Sequence, residues 1–376
     1  MNKIKMVDLQ TQYQRLKAEI DTAIQQVLTS TAFIQGPQVG EFANALATYT
    51  GAKYVIPCAN GTDALQIAMM ALGFKSGDEV IIPVHTYVAT AEVIALLGLT
   101  PVFIDVDAGT FNIDVSQLEK KITKQTVAVV PVHLYGQCAE MEALTEIAGR
   151  HNLTIIEDAA QSLSAEYIFK DGKKKKSGTL AKIGTTSFFP SKNLGCFGDG
   201  GALFTDDDGL AEKIKMIANH GQRIKYHHEM IGINSRLDTI QAAILRVKLE
   251  HLDNYTARRQ AVASYYDNYL SDVSQIELPF RAPYSSHVFN QYTLKINERS
   301  RDDFKKYLDQ QGIPTMIYYA MPLHYQRAFQ QAGVGEGSFP VSEELAKVVI
   351  SLPIHTEMST DQLEFICSKI KKYFSS

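Results

Sequence analysis

A single lysine lies in a glycine-rich segment near the middle of the chain. The segment SFFPSKNLGCFGDGG covers residues 187–201 and places Lys192 just after Pro190. Glycines let the backbone turn tightly and approach other groups closely. Two common phosphate-binding patterns do not fit, because the lysine precedes the glycines and because Leu203 stands where a dinucleotide motif has its third glycine. Lys192 is therefore either a structural residue beside a turn or a reactive amine.

Two further candidate sites follow short apolar runs that we interpret as strands. ANGTDAL follows KYVIPC and puts Gly61 and Thr62 at the start of a predicted helix, where free N–H groups and the helix dipole bind anions. The structural alternative is that Thr62 or Asp63 only caps that helix. Tyr87 follows EVIIPV at a strand-to-helix turn, where it either stacks on a flat ligand or packs as an ordinary tyrosine.

Acidic and polar residues end two more predicted strands. TIIEDAAQS ends one strand with Glu157 and Asp158, which point to opposite faces, and Gln161 follows three residues later. An acid at this position either pairs with a cationic ring nitrogen or caps a helix that begins at Ala159. Ser187 ends the strand GTTSFF, five residues before Lys192.

One ligand unites these residues. Pyridoxal phosphate needs a lysine that is both amine and proton carrier, a carboxylate beside its pyridinium nitrogen, an aromatic ring over its own ring and a helix terminus for its phosphate. A paired carboxylate keeps the ring nitrogen protonated because it favours the charged form. This predicts Lys192 as the covalent anchor and Asp158 as the partner of the ring nitrogen.

The elements that must position these residues alternate between strand and helix. Apolar strands alternate with helical patterns over the first two thirds of the chain, which predicts an α/β fold whose mostly parallel, seven-stranded sheet lies between helices. Ligands of such sheets bind beyond the carboxyl ends of the strands. From residue 236, a long segment without proline or glycine predicts one or two helices. We divide the chain into a large domain at 1–250, with an N-terminal helical segment, and a smaller C-terminal α+β domain at 251–376.

Composition excludes several other classes. Of the 376 residues, 45% are apolar and 21% charged, and the net charge is −4, so no bulk attraction to nucleic acid or to an anionic membrane is expected. The lysine run DGKKKKSG at 171–178 is interpreted as a turn followed by solvated lysines. Four scattered cysteines without a CxxC pair favour reduced thiols in the cytoplasm. Neither a signal peptide nor a membrane span is predicted.

The same residues resemble a known family. The ordered motifs GTDALQ, TYVATAE, PVHLYGQ, IEDAAQS, SFFPSKNLGCFGDGGA, GINSRLDTIQAAIL and MPLHYQ resemble the DegT-type nucleotide-sugar aminotransferases, which have the pyridoxal-phosphate-dependent transferase fold type I. The resemblance extends over essentially the whole chain. It implies a homodimer whose active sites are shared between subunits, and no metal.

Specific roles follow from that resemblance. It implies cofactor contacts at Gly61, Thr62, Tyr87, Asp158, Gln161, Ser187, Lys192 and Asn234, with Asn234 reaching the cofactor phosphate of the neighbouring subunit. It makes Arg236 a candidate for the anionic groups of a sugar nucleotide. Further candidate substrate contacts are His227, His228, Tyr318 and His324. Tyr318 is a departure, since the family often has histidine there, and the presence of lysine at 192 favours transamination over dehydration.

The substrate remains open at this level. The chain looks most like enzymes that transfer an amino group from glutamate to UDP-2-acetamido-2-deoxy-3-oxo-glucuronate, for surface polysaccharide such as the O-antigen of lipopolysaccharide. A dTDP-3-keto- or 4-keto-6-deoxyhexose is the rival substrate. The alternatives of other classes are a non-catalytic sensor that binds a sugar nucleotide and a fold type I enzyme with other chemistry, such as decarboxylation.

Overall fold

The computed structural model of the protein describes residues 3–330 and 334–375. The outer limits of the two predicted domains, residues 1 and 376, lie outside these ranges. The α-helices are α1 (Leu9–Ser30), α2 (Pro37–Thr50), α3 (Gly61–Leu72), α4 (Ala89–Leu96), α5 (Leu118–Lys121), α6 (Met141–Arg150), α7 (Asp208–Ala218), α8 (Thr239–Leu249), α9 (Leu252–Leu270), α10 (Arg301–Gln310), α11 (Pro340–Val348) and α12 (Thr360–Ser375). Short 3-10 helices cover Val115–Gln117, Leu134–Gly136, Leu323–Tyr325 and Arg327–Phe329.

The strands form one large sheet and three small ones. They are β1 (Tyr54–Cys58), β2 (Glu79–Pro83), β3 (Thr100–Ile104), β4 (Thr126–Val129), β5 (Thr154–Asp158), β6 (Glu166–Ile168), β7 (Lys174–Lys176), β8 (Ile183–Ser187), β9 (Gly201–Thr205), β10 (Gln222–Ile224), β11 (His227–His228), β12 (Ile276–Glu277), β13 (Tyr292–Ile296) and β14 (Val349–Leu352). The large sheet has seven strands in the order β1-β9-β8-β5-β4-β2-β3.

The large sheet confirms the predicted fold class. Strands β8, β5, β4, β2 and β3 pair in parallel, while β9 runs antiparallel to both β8 and β1. The seven strands predicted for the first two thirds of the chain all belong to this sheet, and the strand predicted in FNQYTLKI is β13 of a smaller sheet. Parallel pairing brings the carboxyl ends of β2, β5 and β8 to one edge, which is where ligands of open α/β sheets bind.

Helices bury both faces of this sheet. On one face, Val80 and Leu203 pack with side chains of α3, α4 and α7. On the other face, their chain neighbours point the opposite way: Ile81 packs with α6, and Phe204 packs with α2 and α8. Burial on both faces explains why the strands are continuously apolar rather than alternating.

The C-terminal part builds a second core. The antiparallel sheet β12-β13-β14 packs with α9, α10 and α12. The division near residue 250 stays a prediction. Each core also contains a residue from the other part of the chain: Ile4 packs in the second core and Leu323 in the first. They are also joined where the carboxylate of Asp105, just after β3, accepts hydrogen bonds from the backbone N–H groups of Val341 and Ser342 at 3.0 and 2.9 Å. The first turn of α11 is thereby bonded to the large sheet.

One local prediction is confirmed by the structure and another changes. The long segment after residue 236 forms two helices, α8 and α9, separated at Glu250 and His251. The lysine run does begin with a turn, in which Gly172 donates to Phe169 at 2.8 Å, but Lys174–Lys176 then forms β7, paired with β6. None of the helices in the described ranges combines the length and the apolar character that a membrane span requires.

Candidate active site

The N-terminus of α3 forms one wall of the site. Asn60, not Thr62 or Asp63, caps this helix, because its side chain accepts from the N–H of Asp63 at 2.8 Å. The N–H groups of Gly61 and Thr62 therefore keep their hydrogen-bonding capacity for a ligand. Ser187, at the end of β8, lies against this helix end, since a Cβ on Gly61 would lie 2.7 Å from the Cβ of Ser187. The hydroxyls of Thr62 and Ser187 thus stand beside free amides, as an anionic group requires.

Asp158 ends β5 at the bottom of the site. It is 7% exposed, and its two carboxylate oxygens accept from the hydroxyl of Thr90 and from the N–H of Ala160, each at 3.1 Å. No helix begins at Ala159, so the capping alternative for Asp158 is wrong. The carboxylate is held in one orientation and remains available to a cationic partner.

Glu157, on the opposite face of β5, is wholly committed to structure. Its carboxylate accepts from the backbone N–H groups of Gly178, Leu180 and Ala181 at 2.9, 2.6 and 2.7 Å. It also lies 3.1 Å from Nε2 of the buried His133. Because Nδ1 of that histidine accepts from a backbone N–H, its Nε2 carries the proton and donates to Glu157. This bonding fixes the strand that presents Asp158.

Gln161 has a defined amide orientation. Its Oε1 accepts from the N–H of Tyr135 at 2.8 Å, so its Nε2 points to the hydroxyl of Tyr319 at 3.3 Å. The ring of Tyr319 lies 6.2 Å from that of Tyr87, which is 58% exposed at the mouth of the site. Burial raises the pKa of the Tyr319 hydroxyl, so it stays protonated. Two tyrosines and an amide therefore form the wall opposite α3.

Lys192 lies close enough to Asp158 to feel the charge of its carboxylate. Its backbone N–H donates to the carbonyl of Phe189 at 2.8 Å, which forms a tight turn. Burial lowers the pKa of the Lys192 amine to about 8, and the nearby charge of Asp158 partly opposes this shift. A large share of the amine is therefore neutral near pH 8, which is the form that attacks a carbonyl carbon.

The residues present fit pyridoxal phosphate. The site combines a buried amine of lowered pKa, a fixed carboxylate, exposed aromatic surface and the free N-terminus of α3. At the phosphate end, the backbone of β9 lies so close to the start of α3 that residue 201 has no room for a side chain. A Cβ on Gly201 would lie 2.4 Å from the carbonyl oxygen of Asn60. No group of His, Cys, Asp and Glu in the described residues is arranged to hold a metal.

Other predicted site residues lie apart from this group. Asn234 is exposed, next to Ser235, whose hydroxyl accepts from the N–H of Ala59 at 3.0 Å. Arg236 lines a cleft of about 470 Å³ between α2, β1 and α7, together with Lys53 and Lys215. No ion pair joins Arg236 to another described residue.

The predicted substrate residues have varied surroundings. His227 and His228 form the exposed strand β11, where Nδ1 of His228 lies 2.8 Å from the carbonyl oxygen of His220. His324 is buried, with Nε2 3.2 Å from a carboxylate oxygen of Glu343. The carbonyl of Tyr318 accepts a hydrogen bond from the hydroxyl of Tyr135. The roles of these residues toward a substrate stay predictions.

Sequence reasoning missed two groups that shape the site. Thr90 donates to Asp158 across 68 residues of sequence, and Tyr319 reaches Gln161 across 158. Thr90 carried a weak signal, as one of two polar residues, with Glu92, in the run ATAEVIAL. Tyr319 carried none that separates it from its neighbour Tyr318.

Comparisons with known proteins show the family of the chain. The sequence model of the DegT/DnrJ/EryC1/StrS aminotransferase family matches residues 14–371. The chain is 47% identical to the UDP-2-acetamido-2-deoxy-3-oxo-D-glucuronate aminotransferase of Pseudomonas aeruginosa, over 98% of this chain and 99% of that protein. It is 44% identical to a pleiotropic regulatory protein of Geobacillus stearothermophilus, over 99% and 98%. The crystal structure of S. venezuelae DesV superposes with a TM-score of 0.95 at 40% identity, with 100% of each chain covered.

Proposed function

Because this chain belongs to the DegT/DnrJ/EryC1/StrS aminotransferase family, we propose that it transfers an amino group from glutamate to UDP-2-acetamido-2-deoxy-3-oxo-glucuronate. The family makes the protein a pyridoxal-phosphate-dependent aminotransferase. The observation that carries the catalytic assignment is the position of Lys192, half-buried in a tight turn near the carboxylate of Asp158. The sugar rests on the similarity to the P. aeruginosa enzyme.

We assign the cofactor contacts as follows. The free N–H groups of Gly61 and Thr62, with the hydroxyls of Thr62 and Ser187, bind the phosphate. Asp158 holds the positive charge of the ring nitrogen, and Tyr87 covers the ring. Gln161 uses its remaining N–H toward the ring hydroxyl. When bound, pyridoxal phosphate supplies an electron sink for the bond-breaking at the amino-acid carbon.

Lys192 has two tasks in this assignment. Its neutral amine holds the cofactor between turnovers and is released when the amino donor arrives. Near pH 8 the released amine exists in both protonation states in similar amounts, since its pKa is about 8. Nζ can therefore accept the α-proton of glutamate and donate a proton in the second half-reaction. The carboxylate of Asp158 keeps one orientation, fixed by Thr90 and Ala160.

A substitution tests the catalytic assignment. We expect Lys192→Ala to abolish turnover and to remove the yellow absorbance of the lysine-bound cofactor, while wild-type protein is yellow and bleaches on addition of glutamate. The matched control is Lys182→Ala, which changes a lysine at the amino end of β8, away from the site. Appreciable transamination by the Lys192→Ala variant would refute the assignment.

The substrate has its own test. A uronate carries a carboxylate that a guanidinium binds in fork geometry, and Arg236 is the candidate for that contact. We expect a higher kcat/KM for the UDP uronate than for a dTDP-3-keto- or 4-keto-6-deoxyhexose. A preference for the deoxyhexose would refute the sugar assignment and leave the aminotransferase unchanged. A yellow protein that binds both sugars and bleaches with neither glutamate nor another donor would be a sensor.

We propose that the enzyme works as a homodimer with shared sites. The predicted cross-subunit residue Asn234 is exposed, and it lies three residues from Ile231, which is 86% exposed. Ile224 and Tyr226, a few residues earlier, are 64% and 78% exposed, and several exposed apolar side chains in one segment favour an interface. We expect a mixture of Lys192→Ala and Asn234→Ala subunits, each inactive alone, to regain about a quarter of wild-type activity, since half of the dimers then hold one intact site. Absence of recovery in a mixture with proven subunit exchange would contradict shared sites.

The setting of the reaction is the last part of the proposal. We assign the product to surface polysaccharide, such as lipopolysaccharide O-antigen, by analogy with the predicted sugar. We assign the protein to the cytoplasm, and the support is that all four cysteines are buried and free, as suits a reducing compartment. Fractionation of the native cell, with immunodetection of the protein, tests this location.

A further inference from the structure

The segment that carries Lys192 is a closed loop. We call residues 188–198, between β8 and β9, the lysine loop. Its ends meet where the N–H of Cys196 donates to the carbonyl of Phe188 at 2.8 Å, and the Sγ of Cys196 lies 3.0 Å from the same oxygen. Lys192 lies at the middle of the loop. Any movement at the point where the ends meet therefore moves Lys192 relative to Asp158.

The interior of the loop has no room for adjustment. A Cβ on Gly195 would lie 2.3 Å from the carbonyl oxygen of Pro190 and 2.8 Å from that of Phe189. The backbone at Gly195 thus packs directly against the backbone at Phe189 and Pro190. The buried carbonyl of Gly195 needs a hydrogen-bond donor from outside the loop, because leaving a buried carbonyl unpaired is unfavourable.

Helix α8 supplies that donor. The side chain of Lys248 is 2% exposed, and its Nζ donates to the carbonyl of Gly195. Its Nζ also lies 5.5 Å from the centre of the Phe197 ring. Gln241, seven residues earlier and so on the same face of the helix, accepts from the N–H of Phe197 at 2.8 Å. Two side chains of α8 therefore hold the backbone on both sides of Cys196.

Burying the amine of Lys248 in this space is energetically unfavourable. It forms no ion pair with a carboxylate of the described residues, and burial lowers the pKa of its amine to about 8. Removing an ammonium group from water costs several kcal/mol unless it is well paired. A methionine of similar length would fill the volume without that cost. What the lysine adds over methionine is the hydrogen bond to Gly195.

We propose that Lys248 is a positioning residue for Lys192: together with Gln241 it fixes the ends of the lysine loop and so keeps the reactive amine buried beside Asp158. This inference rests on the assignment of Lys192 in the proposed function. Loss of the bond to Gly195 would loosen the loop and admit water around Lys192. Because burial is what lowers the pKa of the Lys192 amine, hydration would return that pKa toward its ordinary value near 10.5.

The test uses covalent capture rather than turnover. In cofactor-free protein, the neutral amine of Lys192 attacks the aldehyde carbon of added pyridoxal phosphate, one water leaves, and added cyanoborohydride reduces the resulting C=N bond to a stable amine. Mass spectrometry of the peptide that contains Lys192 measures the trapped fraction from about pH 6 to pH 10, a range that spans the titration of this amine. The proteins compared are wild type, Lys248→Met, Gln241→Met and the control Lys213→Met, which changes an exposed lysine of α7.

We expect half-maximal capture near pH 8 in wild type and in the control. In Lys248→Met the midpoint should rise by about one pH unit or more, which lowers capture at pH 8 about fivefold. Gln241→Met should shift the midpoint in the same direction by a smaller amount. The melting temperature of each variant measures its stability separately from the midpoint of capture.

Each other outcome has a defined meaning. A wild-type midpoint in folded Lys248→Met overturns the inference, even if that variant melts at a lower temperature, because Lys248 would then serve stability alone. If Lys248→Met does not fold, Gln241→Met decides, and an unchanged midpoint there overturns the inference. Failure of the wild type to be trapped at Lys192 instead refutes the proposed function, so the two failures are distinguishable.

Discussion

The substitution Gly201→Ala probes the phosphate end of the site. Gly201 begins β9, and an added Cβ would lie 2.4 Å from the carbonyl oxygen of Asn60 and 2.9 Å from the nitrogen of Gly61. Both are backbone atoms at the start of α3, so no side-chain rotation can relieve the overlap. Either β9 or the helix end must shift. Overpacking of this kind costs about 1–3 kcal/mol of unfolding free energy.

The same shift should weaken cofactor binding. The N–H groups of Gly61 and Thr62 are the proposed phosphate donors, and hydrogen bonds to a charged group contribute about 1.5–3 kcal/mol each. Loss of one such bond raises the Kd for pyridoxal phosphate about 10- to 100-fold. The assay is titration of cofactor-free protein with pyridoxal phosphate, followed by absorbance, with urea unfolding of the same samples.

Gly149→Ala is the matched control. Gly149 lies in α6, and a Cβ there would meet no heavy atom within 4 Å. Alanine should therefore stabilise the helix by up to about 1 kcal/mol and leave the Kd unchanged. If Gly201→Ala binds the cofactor with wild-type affinity while losing stability, the start of α3 does not hold the phosphate.

Three further predictions concern the charged groups. Asp158→Asn should still capture pyridoxal phosphate but lower kcat about 100-fold or more, since the ring nitrogen loses its ionic partner; unchanged kcat in steady-state assays would remove that role. Glu157→Gln should lower the unfolding free energy by about 3 kcal/mol in urea, because the buried carboxylate accepts four hydrogen bonds; a loss below about 0.5 kcal/mol would contradict this. The pKa of Lys192 is lower in the folded state, so below about pH 8 both states are protonated and the penalty of burying the charge is complete. Above that pH the unfolded chain binds more protons, and cofactor-free wild type should gain stability relative to Lys192→Met up to about pH 10, as urea unfolding at each pH would measure.

Features that depend on local sequence patterns could be predicted from the sequence. The seven strands of the large sheet were predictable because each is a short apolar run, and the parallel pairing of β8, β5, β4, β2 and β3 followed from the segments that connect them. Lys192, Asp158 and Gln161 could be proposed as site residues because each stands at the end of such a strand or shortly after it. Family membership was predictable because its motifs extend over the whole chain.

Contacts between distant residues were not predictable. The cap of α3 is Asn60 rather than Thr62. The cap is the last residue with an extended backbone before the helix, and the sequence does not show which residue that is. Thr90 and Tyr319 enter the site only through folding, as their partners are far away in sequence. The break between α8 and α9 has no glycine or proline to mark it, because packing rather than propensity separates the two helices.

The bond between Asp105 and α11 has a consequence for biosynthesis. Asp105 is 2% exposed, and its partner Ser342 comes 237 residues later in the chain. Proteins leave the ribosome amino end first, so the strand before Asp105 is made long before the groups that satisfy this carboxylate. Until Val341 and Ser342 are made, the only one of these partners present is the neighbouring N–H of Val106, so burial of the carboxylate is costly before then. Tyr319, which completes the wall beside Gln161, is also synthesised late, 158 residues after Gln161. The wall beside Gln161 and the bonds to Asp105 are therefore both complete only after residue 342 has been made, when the amino-terminal strands already exist.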